Sequence, residues 1–222
     1  MSWIKKYLSY LYPIPDRKSY SQINGTIEIN WNNGQRVIDT RSANYSYGSL
    51  QRLLKYGLKN LPSDLWTHCQ EILILGVAGG SVIETLRRDF AYPGNITGVE
   101  IDPEMMRWLR TEFNIGNTFN TQIIELDANY YVYQTQKTFD LIIIDIFIDT
   151  KMPDFLFEQS FIDRVYEMLN PKGSILFNTI YHTQMHKERN QKYFEYIQTK
   201  KTIIKRLDQL DGFNEIFLIT KN

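Results

Sequence analysis

The residues of this chain best suited to chemistry are acids at the ends of apolar runs. Glu100 and Asp102 close one run, Asp127 a second and Asp145 a third, with Asp149 a few positions further on. A carboxylate at a buried strand end pays a desolvation cost unless something pairs with it. Several of them at one sheet edge therefore point to a polar ligand with hydroxyls, an amine or an ammonium. Upstream, residues 76–81 read GVAGGS: Gly76, Gly79 and Gly80 let the backbone turn sharply and approach a ligand without a Cβ in the way. Ser81 is placed to cap the helix that follows, whose N-terminus aims unpaired N–H groups at the turn. Glu100 lies a little beyond the roughly 20 positions at which a carboxylate holds a ribose diol. The turn is GxxGG, not GxGxxG. Ala78 stands where a dinucleotide fold needs glycine against a pyrophosphate, so an adenosyl nucleoside fits better than NAD.

These residues must be positioned by an alternating pattern. Strands are expected at 71–75, 95–100, 121–126, 139–145 and 173–179, with helices at 81–90, 103–113, 128–134, 158–169 and 184–198. Two last strands, 202–210 and 214–220, turn at Asp211-Gly212 and form a hairpin. The expected fold class is α/β, a doubly wound Rossmann-like seven-stranded sheet with an antiparallel strand inserted near one edge. Its ligand belongs beyond the carboxyl ends of the strands at the topological switch point. Before it, residues 2–12 suggest a short amphipathic helix with Trp3, Ile4, Tyr7, Leu8 and Leu11 on one side, ended by Pro13 and Pro15. Residues 26–40 alternate about Asn33-Gly34, a hairpin signal, and 48–60 make a helix stopped before Pro62. Two units follow: 1–62, with the helix, hairpin and connecting helix, and 63–222, the nucleoside-binding domain.

The composition excludes several classes. Lys and Arg number 25 and Asp and Glu 25, so the basic face of a nucleic-acid binder is not expected. A small molecule is the default partner. Cys69 is the single cysteine, which precludes an intrachain disulfide and suggests a reducing compartment. His68-Cys69 reads as a strand-edge pair, and His182 and His186 have helical metal-site spacing without the Glu of a zincin, so no metal is expected. No apolar run reaches the length of a membrane span, and the N-terminus lacks the pattern of a signal peptide, so the cytoplasm is the expected location. The aromatic patch of Trp3, Tyr7, Leu11 and Tyr12 suggests a homodimer.

The segments ILILGVAGGSVIETL, GVEIDPEMMRWLR, ELDANYYV and FDLIIIDIFIDTKMPDFLFEQSFIDRVYEMLNPKGSILFN together resemble the successive motifs of spermidine synthases and their relatives. These are aminopropyltransferases on the class I S-adenosylmethionine methyltransferase fold. The resemblance extends to the hairpin and to NYSYGSLQRLL, which sit where that family has a small N-terminal β-domain and a tyrosine-containing segment. It implies that Glu100 binds the ribose hydroxyls, that Asp127 and Ala128 recognise the adenine, and that Gly76 and Gly80 are turn glycines. The family's turn reads GGGDGG, and its Asp falls on Gly79. Its YHE segment falls on Tyr47-Gly48-Ser49, so only the tyrosine is kept. Its DSSD becomes Asp145-Ile146-Phe147-Ile148-Asp149, one residue longer.

The implied reaction is aminopropyl transfer from decarboxylated S-adenosylmethionine to a small amine in polyamine synthesis. Asp145, Asp149 and Tyr47 would serve as the catalytic set, with Asp154 nearby. A methyltransferase using S-adenosylmethionine, for which Gly79 is no obstacle, and a non-catalytic relative acting as an interaction module are the alternatives. Tyr45, Tyr47, Phe147, Phe155 and Phe157 are candidates for one aromatic rim. The loop from 147 to 157 is expected to overhang the nucleoside and close over it, bringing Asp149 in.

Overall fold

The computed structural model describes residues 2–40, 44–46, 49–113, 115, 120–148, 151–210 and 213–222. Helix α1 (Ser2–Leu8) leads into strands β1 (Ile14–Ser21), β2 (Gly25–Asn32), β3 (Gln35–Thr40) and β4 (Asn44–Ser46), then helices α2 (Ser49–Lys59) and α3 (Leu65–His68). The alternating part runs β5 (Glu71–Leu75), α4 (Ser81–Asp89), β6 (Asn95–Glu100), α5 (Pro103–Thr111), β7 (Thr121–Glu125), α6 (Ala128–Gln134) and β8 (Phe139–Ile144). It continues through a 3-10 turn at Asp154–Phe157, α7 (Gln159–Glu167), β9 (Leu169–Ile180), α8 (Gln184–Ile197), β10 (Thr202–Leu210) and β11 (Asn214–Lys221).

The large sheet has seven strands in the order β10-β11-β9-β8-β5-β6-β7, and β11 runs antiparallel between β9 and β10. This is the doubly wound, Rossmann-like sheet that the hydrophobic runs imply. Alternation along each strand divides the core in two. Ile72 and Ile74 of β5, Leu141 and Ile143 of β8 and Leu176 of β9 face a cluster containing Leu54, Leu58, Ile83 and Leu86. Leu73, Leu75, Ile142, Ile144, Ile175 and Phe177 face the other way, onto Val132, Phe161, Val165 and Ile197. Each such side chain contributes about 1.5–3 kcal/mol of burial, so the central strands supply much of the energy that holds the sheet and its helices together.

The N-terminal hairpin is present as β2 and β3, paired from Asn32 with Gln35 outwards, and it belongs to a four-stranded sheet. Strand β1 escapes sequence reading because its Pro15 and its charges fit only an edge, and the register shifts between Pro15 and Arg17. Strand β9 begins earlier than its apolar run, because Leu169 pairs with Phe139 before an irregularity that carries Pro171, Lys172 and Gly173.

Ile27, Ile29 and Ile38 of the small sheet pack on Met105 and Trp108 of α5. The polar fastening beside them is Asp102, which is fully buried. Its Oδ2 accepts from Ser21 Oγ at 2.5 Å and Asn24 Nδ2 at 2.6 Å, at the β1–β2 turn. Its Oδ1 accepts from the N–H groups of Glu104 at 2.9 Å and Met105 at 3.4 Å, capping α5. One carboxylate thus joins the two sheets, and its oxygens are spent within the protein, unlike the ligand-facing acid expected at this strand end. Asp102→Ala removes the acceptor that Ser21, Asn24 and the start of α5 share. It is expected to cost about 2–4 kcal/mol, read as a lower urea midpoint, and Asp102→Asn less.

Candidate functional site at the switch point

The chain reverses direction across the sheet between β5 and β8, and the residues after these two strands lie side by side. Gly76 N donates to Val99 O at 3.0 Å, and Asp145 N donates to Leu75 O at 2.9 Å. Gly76 has φ +87°, and a Cβ there would collide with the Asp145 carbonyl oxygen, so the turn and the end of β8 touch only because residue 76 is glycine. Gly80 has φ +76° and is the N-cap of α4, without a side-chain cap. Ser81 is therefore the first helical residue, buried, and not the cap expected of it. Gly79 lies in the turn between them, after Ala78 at φ +46°, a left-handed conformation that costs an alanine energy.

Glu100 offsets that strain. Its Oε2 accepts from Ala78 N at 2.8 Å and Val77 N at 3.1 Å, and its Oε1 from Asp102 N at 3.0 Å. Burial raises its pKa, and these backbone bonds pull against the rise. Gly98 lets β6 approach the turn, since a Cβ there would lie 2.7 Å from Val77 Cγ2. Leu126 N donates to Glu100 O at 3.0 Å, which sets the end of β7 beside Glu100. There Asp127 caps α6 through Oδ1 to Tyr130 N at 2.8 Å, and Ala128 is buried behind it. Gly76, Gly79, Gly80, Glu100, Asp127, Ala128 and Asp145 are all delivered to the carboxyl edge of the sheet.

Asp145 sits half-buried, its Oδ1 accepting from Asn178 Nδ2 at 2.9 Å. Burial pushes it up to about 6, against the pull of Asn178. Asn178 is fully buried at the end of β9 and was not singled out from sequence, although a lone amide in the apolar run SILFNTI carries the cost of burying a polar group as its signal. Tyr47 and Asp149 lie outside the described residues, as does the side chain of Tyr45.

Other expectations change. The loop from 147 to 157 is anchored in its second half: Met152 and Leu156 are buried, and Met152 Sδ accepts from Ile180 N at 3.4 Å. Phe155 packs edge-on against Phe161 at 5.0 Å, and Phe157 packs on Phe177 and Tyr193 with Arg189 over its ring at 4.0 Å. Both rings are half-buried and pack against the core between sheet and helices. Asp154 is exposed in the 3-10 turn. His68 ends α3 and Cys69 follows as its C-cap, so the pair lies at a helix end and not at a strand edge. His182 precedes α8, and His186 closes a capping box with Thr183, which spends the helical spacing on the helix start. Among the described residues no group of three His, Cys, Asp or Glu side chains could hold a metal.

Residues 54–205, more than half of the chain, match the family model of the spermine/spermidine synthase domain. The chain belongs to this family. A polyamine aminopropyltransferase of Vibrio vulnificus (strain CMCP6) is 27% identical over 128 residues, covering 56% of this chain and 42% of that protein. The match thus spans less than half the length of that relative. A probable spermidine synthase from Corynebacterium glutamicum ATCC 13032 superposes with TM-score 0.68 at 18% identity, over 93% of this chain and 79% of that one. The spermidine synthase of Thermotoga maritima gives 0.63 at 18%, over 94% and 73%. Human methyltransferase-like protein 13 in complex with SAH gives 0.62 at 19%, over 79% and 83%. These likenesses establish the shared class I methyltransferase-type fold.

The raised pKa of Asp145 has a stability consequence. The folded value near 6 exceeds the ordinary carboxylate value, so the folded state holds its proton more tightly and loses stability as pH rises through that interval. Asp145→Asn keeps an acceptor for Asn178 and removes the buried charge. It is expected to raise stability at pH 7.5 by about 1–2 kcal/mol, with the gain vanishing by about pH 4, in melting curves taken across that range.

Proposed function

We propose that this chain binds an S-adenosyl nucleoside at the switch point and transfers the aminopropyl group of decarboxylated S-adenosylmethionine to a small amine. The observation that carries the reading is Asp145, whose backbone carbonyl lies against Gly76 of the glycine turn and whose carboxylate is held by Asn178, within a spermine/spermidine synthase domain. Glu100 is the acid for the ribose hydroxyls, where a hydroxyl reaches the lone pairs that the backbone leaves open. Asp127 uses Oδ1 for the helix, which leaves Oδ2 for the exocyclic amine of adenine over Ala128. Gly76, Gly79 and Gly80 admit the nucleoside to the turn.

The acceptor arrives as an ammonium and must lose a proton before it attacks. Asp145 takes that proton. The amine nitrogen then bonds to the aminopropyl carbon beside sulfur, and the carbon–sulfur electron pair stays on sulfur, leaving methylthioadenosine and a secondary ammonium. A base with pKa near 6 is well matched to this task at neutral pH. Asp149 and Tyr47 complete the proposed catalytic set by holding the acceptor. Methyl transfer from S-adenosylmethionine is the alternative, for which Gly79 in the turn is no obstacle. We also propose a homodimer, because Trp3, Tyr7 and Leu11 are 65%, 68% and 79% exposed on and just after α1.

Incubation with decarboxylated donor and 1,4-diaminobutane is expected to yield methylthioadenosine and the aminopropylated amine by mass spectrometry. Formation of S-adenosylhomocysteine from S-adenosylmethionine, with no aminopropyl product, refutes the proposal in favour of methyl transfer. Asp149→Asn is expected to lower turnover about 100-fold or more while leaving nucleoside affinity nearly unchanged. Light scattering at micromolar concentration should give the mass of two chains, and a monomer mass would remove the dimer.

A further inference from the structure

Behind Asp145 lies a second layer of polar groups that the proposed reaction does not yet use. Asn178, with no exposed surface, donates from Nδ2 to Asp145 Oδ1 at 2.9 Å. Its own Oδ1 accepts from Asn214 Nδ2 at 3.1 Å, at the first residue of β11. An amide is free to present either end to a carboxyl group. Here the Asn214 donor occupies the carbonyl end of Asn178, so only the NH2 end faces Asp145. The antiparallel register of β11 and β9, in which Ile216 pairs with Asn178 and Asn214 with Ile180, brings the two amides together.

We infer that Asn178, oriented by Asn214, is a positioning residue that reserves Oδ1 of Asp145 as an acceptor and leaves Oδ2 as the one oxygen exchanging a proton with the acceptor amine. The inference rests on the proposed reading of Asp145 as the base. A donor held against one oxygen favours the ionised carboxylate, so the pair also tempers the rise that burial imposes. From β5 the neighbours of Asp145 are Leu75 and Gly76, from its own strand end Ile146, and from β9 Asn178. None of these carries a charge. Burial and Asn178 are the influences on its titration among the described residues.

The test follows the carboxyl carbon of Asp145 by NMR in the full chain labelled with carboxyl-13C aspartate, the resonance being assigned by its loss in Asp145→Asn. In the unaltered protein the midpoint is expected near 6. In Asn178→Leu it should rise by about one pH unit, and in Asn214→Ala by a smaller step in the same direction. A midpoint that stays or falls in Asn178→Leu overturns the inference. Should that variant fail to fold, Asn214→Ala at the half-buried edge decides in the same way. The acid limb of the aminopropyl-transfer rate should move with the NMR midpoint. A midpoint that rises without the acid limb following upholds the positioning by Asn178 and refutes Asp145 as the base.

Discussion

The carboxylate of Glu100 is the constraint on which the rest of the site depends. It takes two N–H groups of the glycine turn on one oxygen and the N–H of Asp102 on the other. The turn includes an alanine in a left-handed conformation, and the N–H of that alanine makes the shorter of the two turn bonds. Glu100 and the bond from Gly80 N to Val77 O at 2.9 Å together hold the strained residue in place, and the turn's N–H groups in turn compensate the burial of the carboxylate. Turn and acid therefore define each other, and the space beside them, where a nucleoside is proposed to bind, is shaped by the protein alone.

Through Asp102 the same constraint reaches the N-terminal sheet. Asp102 gives its N–H to Glu100 and takes donors from Ser21 and Asn24 of the β1–β2 turn. The small sheet is thereby fastened to the end of β6, two residues from the proposed ribose acid. On the other side of the switch point, Asp145, Asn178 and Asn214 form a matching chain across β8, β9 and β11. The site is a seam between two such chains, with Gly76 as their point of contact.

The sheet was legible because buried parallel strands leave uninterrupted apolar runs, and EILIL, NITGVE and FDLIII each became a strand within a residue of its expected bounds. The gathering of Gly76, Glu100, Asp127 and Asp145 at the carboxyl edge of the sheet was legible for a related reason: a glycine turn and strand-end acids are local patterns. What escaped was set by distant partners. Whether Asp102 faces a ligand or Ser21 and Asn24 depends on a contact about 80 positions away in the chain. That Phe155 packs on Phe161, and Phe157 on Phe177 and Tyr193, likewise depends on residues that only the fold brings beside them. Asn178 carried a signal in its apolar surroundings, but its partner could be named only once β9 and β8 were seen to be neighbours.

The central claim, that one acid both builds the turn and receives the nucleoside, is tested most directly by calorimetric titration of methylthioadenosine into the unaltered protein and into Glu100→Ala. The account predicts measurable binding to the former and a loss of about 1.5–3 kcal/mol in the variant, roughly a 10- to 150-fold weaker dissociation constant. Equal affinity in the two proteins, or no binding to the unaltered one, would contradict it.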